Sequence, residues 1–206
     1  MTCVKFCGLS RSEDIAAVNI LNPDYAGFVF WEKSRRYVAP ETAKMLSDDL
    51  NPDIVPVGVF LDSDLNRIID IANTGCIRTV QLHGSESERF VRETRDATGM
   101  PVIRAFRIAT RNDLEKAIST EADLMMLDGG IGEGRAFDWT LLEDVKRPYI
   151  LAGGLNPDNV KEAIERLHPF GVDVSSGIET DGIKDQDKMK RFMEAVDSAR
   201  HPYGGA

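Results

Sequence analysis

Short apolar runs rich in Val, Ile and Phe alternate eight times along this chain with longer stretches whose apolar residues recur at helical spacing. The strand candidates are VKFCG at 4–8, YAGFVF at 25–30, IVPVGVF at 54–60, TVQLHG at 79–84, PVIRAF at 101–106, DLMMLDG at 123–129, PYILAGG at 148–154 and GVDVSSG at 171–177. Helix-like segments follow them and open on capping chemistry: Ser12, Pro40 with Glu41, Asp62 or Ser63 before LNRIIDIA, Ser85 before ESERFVRETRDA, and Asn156-Pro157 before DNVKEAIERL. The sixth helix, around WTLLEDV, is expected to be short. A strand and a helix recurring about every 25 residues is the pattern of parallel β/α units. Eight such units predict an α/β fold, a single-domain (β/α)₈ TIM barrel of parallel strands over residues 1–206. The competing arrangement is an open doubly wound sheet. No linker, low-complexity segment or charge block divides the chain, and residues 202–206, in the tail HPYGGA, are expected to fray.

A chain of 206 residues suits one domain with a substantial core. Its formal net charge of -9 argues against a nucleic-acid partner. No apolar run approaches the roughly 20 residues that a membrane helix needs. The three cysteines, Cys3, Cys7 and Cys76, are odd in number, lack paired spacing and follow no signal segment, so reduced thiols in the cytoplasm are expected. An acidic surface is compatible with a small anionic substrate, because backbone N–H groups and one or two basic side chains create a local positive field. Compactness leaves monomer and homodimer equally open.

A barrel of this kind works at the C-terminal ends of its strands. Strand after strand here finishes in Gly or a reactive polar residue: FCG, QLHG, LDGG, LAGG, DVSSG. Alternation along β-strands then sorts the side chains, with Lys5 and Cys7 on one face and Val4 and Phe6 on the other. The apolar pair suits the helix layer, which turns Cys7 inward at the rim. The same count groups Thr79, Gln81 and His83; Leu124, Met126 and Asp128; and Asp173 with Ser175. Cys7 and Asp128 are thus expected to face each other across the mouth. A thiol acts as a general base only if nearby positive charge, a helix N-terminus or the substrate helps it ionise. A carboxyl acting as acid needs a raised pKa. Lys5 and Asp173, inward on strands adjacent in a closed barrel, predict an ion pair or a shared polar network beneath Cys7 that helps to hold thiolate charge or supports the core, since an unpaired buried charge is costly. In the last two units, LAGGLNPDNV and GVDVSSGIE place glycines and hydroxyls at corresponding strand ends, where barrels frequently bind phosphate.

In order and spacing, VKFCGLSR, FWEKSRRYVAPETA, GVF, QLHG, LDGG with GEGRAFDW, LAGGLNPDNV and GVDVSSGIE resemble the motifs of the phosphoribosylanthranilate isomerase family over nearly the whole chain. The resemblance implies a (β/α)₈ barrel of tryptophan biosynthesis that needs no metal or cofactor. It implies an Amadori rearrangement of N-(5'-phosphoribosyl)anthranilate, with Cys7 as general base and Asp128 as general acid. It also implies Arg36 on the anthranilate carboxylate, Gly153, Gly154, Ser175, Ser176 and Gly177 on the phosphate, and Asp173 near the sugar. Lys5, Gln81, His83 and Gly134 are candidate pocket-lining residues, His83 having a rim hydrogen bond as its other reading. Trp31, Trp139 and Phe137 are candidates for stacking on the anthranilate ring or for the core.

Three features depart from the family pattern. Arg35 stands where Pro is usual, which leaves Arg35 and Arg36 as rivals for the carboxylate. IGEGR replaces the usual GGSGK or GGTGK, so Glu133 occupies the place of a small hydroxyl residue and is expected to face solvent. The stretch from Asp128 to Gly132 is also short. The other readings are a different phosphosugar isomerase on the same barrel and a non-catalytic phosphate-binding module. A metal-dependent epimerase would want several strand-end ligands that His83, His168 and His201 do not supply.

Overall fold

Strands whose two faces both carry apolar side chains must be covered on both sides, and closing the sheet on itself inside a ring of helices achieves that. In the computed structural model, which describes residues 2–130 and 139–200, eight parallel strands close into a barrel in chain order. They are β1 (Cys3–Cys7), β2 (Tyr25–Val29), β3 (Val55–Phe60), β4 (Thr79–Leu82), β5 (Val102–Arg107), β6 (Leu124–Asp128), β7 (Tyr149–Ala152) and β8 (Gly171–Val174). The helices are α1 (Ser12–Leu21), α2 (Pro40–Asp48), α3 (Leu65–Asn73), α4 (Glu88–Thr98), α5 (Arg111–Ile118), α6 (Val160–Leu167) and α7 (Gln186–Arg200). After β6 the described chain has only a 3₁₀ turn, Trp139–Leu142, in the place of a helix. The barrel therefore agrees with the sequence expectation, and the sheet is not an open one. The tail from residue 201 lies outside the described residues, and among those described no helix is long and apolar enough to cross a membrane.

Several helix starts differ from expectation. Ser12 is the first helical residue rather than the cap of α1, since the Asp14 carboxylate accepts from the N–H groups of Ser10 and Arg11 at 3.0 and 3.1 Å. Asp64, not Asp62 or Ser63, precedes α3. Ser87 caps α4 by accepting from the Phe90 N–H at 3.2 Å, while Ser85 donates its own N–H to Asp62. Pro40 stands at the start of α2 as expected. Beyond Asn156-Pro157 the chain makes one more turn, closed by Asn159 Oδ1 accepting from the Asn156 N–H at 2.9 Å, before α6 begins at Val160.

The alternation sorts side chains as anticipated. Val4 and Phe6 are fully buried in the layer between barrel and helices, where Phe6 meets Phe192 of α7 edge to face at 6.1 Å. Each such side chain contributes about 1.5–3 kcal/mol by leaving water. Inside the barrel, Val57, Ile103, Ala105, Met126, Ile150 and Ala152 form a separate apolar cluster. The interior toward β1 and β8 is polar instead, holding Lys5 and Asp173 opposite each other in register. Beyond β8 the run GVDVSSG ends early: the chain enters a 3₁₀ turn (Ser176–Ile178) and a two-stranded hairpin, β9 (Glu179–Thr180) with β10 (Ile183–Lys184), before α7.

Candidate active site

Cys7, the last residue of β1, and Asp128, the last of β6, line one cavity of about 340 Å³ at the C-terminal mouth. Its wall also includes Arg36, Gln81, His83, Gly153, Gly154, Asp173, Ser175 and Ser176, which the strand ends bring together as alternation predicts. Gly177 is not on that wall: it sits in the 3₁₀ turn with its Cα packed against the Leu155 carbonyl. Lys5 is not on the wall either, because it lies beneath Cys7 with 1% of its side chain exposed. Trp31 lines the cavity, Trp139 packs on the core, and Glu133, Gly134 and Phe137 lie outside the described residues.

Lys5 Nζ donates to Asp173 Oδ1 at 2.6 Å, the buried pair that inward-facing positions on adjacent strands require. Burial lowers the ammonium, but Asp173 and the Cys7 sulfur more than offset this and hold Lys5 above the ordinary lysine range. Cys7 is the mirror case. Burial pushes its thiol up, the Lys5 ammonium beside the sulfur draws it down, Asp173 pushes it up again, and the net effect is a raised pKa. The thiolate fraction in the free protein therefore grows with pH through a value above that of an ordinary thiol. Lys5→Met is expected to move it higher still: the midpoint for iodoacetamide alkylation of Cys7, followed by peptide mass spectrometry, should rise by about one pH unit or more. An unchanged midpoint would show that Lys5 supports only the core.

Asp128 departs from its expected state. The Gly130 N–H donates to Oδ1 at 2.8 Å, and His83 Nε2 lies 3.5 Å from Oδ2. Gln81 Nε2 is 3.3 Å from His83 Nδ1, which leaves Nε2 turned toward Asp128. Burial pushes the carboxyl up, but the hydrogen bonds from His83 and Gly130 and the charges of His83 and Arg107 hold it below the ordinary carboxylate range. The groups that cause this, two donors and the Arg107 charge, come from the residue after β4, the end of β5 and the turn after β6, and nothing in the spacing of those segments announces that they converge. Gly153 is tied to the same place. It has φ +88°, and a Cβ there would collide with Asp128 Oδ1 and stand 2.7 Å from the Gly129 and Gly130 nitrogens.

The fold separates the two arginines. Arg36 lies on the cavity wall and donates from Nε and Nη2 to Glu179 Oε1 and Oε2 at 2.6 and 2.8 Å. Its stem crosses Gly8, whose φ of +77° and lack of a Cβ permit the contact. Arg35 reaches the same Glu179 from outside with 61% of its side chain exposed and is absent from the wall. Among the described residues, Arg36 Nη1 has no hydrogen-bond partner and remains for a ligand. At the other side, Gly153, Gly154, Ser175 and Ser176 form adjoining turns, and Ser175 Oγ donates to the Cys7 carbonyl at 3.1 Å.

Sequence reasoning missed Glu179 and Lys184. Both are charged residues in a Gly- and Asp-containing stretch, GIETDGIKD, which reads as a solvated turn, yet both are buried against the site. The only signal was a Lys following so soon after the glycine-serine strand end.

Comparison with known proteins is consistent along the chain. Residues 4–195 match the family model of N-(5'phosphoribosyl)anthranilate (PRA) isomerase. An N-(5'-phosphoribosyl)anthranilate isomerase from Acetivibrio thermocellus is 42% identical, the alignment covering 97% of each chain. The crystal structure of phosphoribosyl anthranilate isomerase from Thermotoga maritima superposes with a TM-score of 0.89 at 37% identity, covering 96% of this chain and 100% of that one. A second structure, of a phosphoribosyl anthranilate isomerase in complex with reduced 1-(o-carboxyphenylamino)-1-deoxyribulose 5-phosphate, gives a TM-score of 0.87 at 37% identity, with coverage of 96% and 100%. With a barrel, a cavity and a whole-length match in agreement, this chain belongs to the N-(5'-phosphoribosyl)anthranilate isomerase family.

Proposed function

We propose that this chain converts N-(5'-phosphoribosyl)anthranilate into 1-(2-carboxyphenylamino)-1-deoxyribulose 5-phosphate, the aldose-to-ketose Amadori step of tryptophan biosynthesis, with Cys7 as general base and Asp128 as general acid. The observation that carries the assignment of roles is one cavity whose wall brings together a thiol and a carboxyl from β1 and β6, an arginine and a pair of glycine-serine turns. Arg36 takes the anthranilate carboxylate, for which a planar guanidinium is suited. Gly153, Gly154, Ser175 and Ser176, with the neighbouring Gly177, bind the phosphate through backbone N–H and hydroxyl groups. Asp173 holds Lys5 under the sulfur and stands near the sugar.

The chemistry follows from the electrostatics. Entry of the substrate brings two anionic ends and displaces water, and both changes favour the protonated form of Asp128. The carboxyl then gives its proton to the furanose ring oxygen as the C1'–O bond breaks, leaving an open-chain Schiff base. Its iminium charge acidifies the C2' proton and, beside Cys7, adds to Lys5 in drawing the raised thiol pKa down at the moment when a base is needed. The thiolate removes the C2' proton, and the enolamine tautomerises to the ketone. His83, just after β4 and itself held by Gln81, orients Asp128. The three unpaired cysteines support a cytoplasmic setting for an enzyme acting on a small-molecule substrate.

The test is to generate the unstable substrate in situ and follow the loss of its fluorescence; a rate no faster than the uncatalysed background overturns the assignment. The same assay separates the two arginines. Arg36→Met is expected to raise KM roughly tenfold or more, the cost of one charge-assisted hydrogen bond, and Arg35→Met less than about threefold. Equal effects would show that the wall position of Arg36 is not what binds the carboxylate.

A further inference from the structure

Two buried side chains that the proposed chemistry does not use connect the ends of the cavity. Glu179 and Lys184 are paired in register across the β9–β10 hairpin, with 3% and 2% of their side chains exposed. Glu179 Oε1 accepts from Arg36 Nε at 2.6 Å and from Lys184 Nζ at 2.8 Å, while Oε2 accepts from Arg36 Nη2 and Arg35 Nη2, both at 2.8 Å. Lys184 Nζ also donates to the Ser175 carbonyl at 2.9 Å and lies 3.4 Å from Ser175 Oγ. An unbroken chain of charged contacts thus runs Arg36, Glu179, Lys184, Ser175 behind the cavity wall.

The charges in this chain do not cancel. One carboxylate serves three cations, Arg35 at the surface and Arg36 and Lys184 within. Burial lowers the Lys184 ammonium more than Glu179 raises it, so the cation is under-compensated by its own protein partners. A hairpin held only for packing gains nothing from such an excess. A site that receives an anion at each end does, because each anion completes the compensation of the cation nearest to it.

We infer that Glu179 and Lys184 are positioning residues that fix Arg36 relative to the Ser175 turn, so that holding the substrate's carboxylate and holding its phosphate are energetically coupled. This rests on the proposed roles of Arg36 and Ser175. Lys184 touches the phosphate side and Glu179, and its hydrogen-bonded route to the carboxylate runs through Glu179.

The probe is reduced 1-(o-carboxyphenylamino)-1-deoxyribulose 5-phosphate, which a relative binds, compared with the same molecule lacking the ring carboxylate. Competitive inhibition constants of the two are measured on the whole protein and its variants, and their ratio reports the value of the carboxylate. In the wild type that ratio is expected to be about tenfold or more. It should fall to about one in Arg36→Met, to about threefold or less in Lys184→Met, and return to near the wild-type value in Lys184→Arg. Glu179→Gln, which keeps size without charge, should lower the ratio as Lys184→Met does and gives a second reading of it. If Arg36→Met behaves as expected but Lys184→Met keeps the wild-type ratio, the coupling is overturned and the role of Arg36 stands. Failure of Lys184→Arg to restore the ratio assigns the loss to packing and also overturns it. If Arg36→Met keeps the wild-type ratio, the carboxylate is held elsewhere, and the assignment of Arg36 falls together with the coupling.

Discussion

Cys7→Ala is expected to lower kcat by roughly 10²–10⁴-fold, the usual range for removing a general base or acid, with KM changed by less than about threefold. The asymmetry follows from where the thiol stands. In the proposed reading it acts on the sugar carbon and holds neither anionic end, so it contributes to the transition state and little to binding. Cys7→Ser tests basicity apart from shape, because a buried hydroxyl beside Lys5 ionises far less readily than a thiol and should be nearly as impaired as alanine. The pH profile adds a sign. The free protein holds Asp128 below and Cys7 above their ordinary pKa values, so the reactive form, protonated acid with thiolate, carries as many protons as the resting form. Wild-type kcat/KM should stay level with pH and fall only above the raised thiol value, and that break should be absent from both variants. Turnover of Cys7→Ala within tenfold of wild type would remove the thiol from the base role.

Asp128→Asn is expected to cost kcat a similar 10²–10⁴-fold, since the amide keeps the size and the bond from Gly130 but carries no acidic proton. Asn at this position also separates catalysis from stability. The folded pKa of Asp128 lies below its ordinary value. Its ionised form therefore stabilises the fold at pH above the ordinary carboxylate pKa, and that contribution disappears as pH falls through the depressed folded value. The variant lacks the contribution at every pH, so its melting temperature should lie slightly below wild type at neutrality and converge with it in acid. A variant that loses activity without that convergence would show that His83 and Gly130 do not stabilise the ionised acid. One that retains full activity would place the acid elsewhere.

Much of this site was legible because a strand's two-residue period assigns faces with no knowledge of partners. Lys5, Cys7 and Asp173 could be turned inward, and their pairing inferred, from position alone, and the β1–β8 register bears that out. Cap residues were less legible: Ser12, Ser85 and Asp62 are all plausible caps, yet Arg11, Ser87 and Asp64 take the positions, and only Ser87 accepts a helix N–H. Arg35 and Arg36 are adjacent and chemically alike, so only the approach of the chain over Gly8 could separate them.

The amino-acid sequence by itself determined the eightfold alternation, the barrel, the inward thiol and carboxyl and the glycine-serine ends of the last two strands, because these depend on local period and turn chemistry. Tertiary structure alone decided the protonation states and the braces. Asp128 is held as a carboxylate by donors from two segments and a charge from a third, and Glu179 and Lys184 are buried because a short hairpin folds back beneath Arg36 and Ser175. Burial and charge are sums over everything nearby, and neighbours distant in sequence leave no period to read.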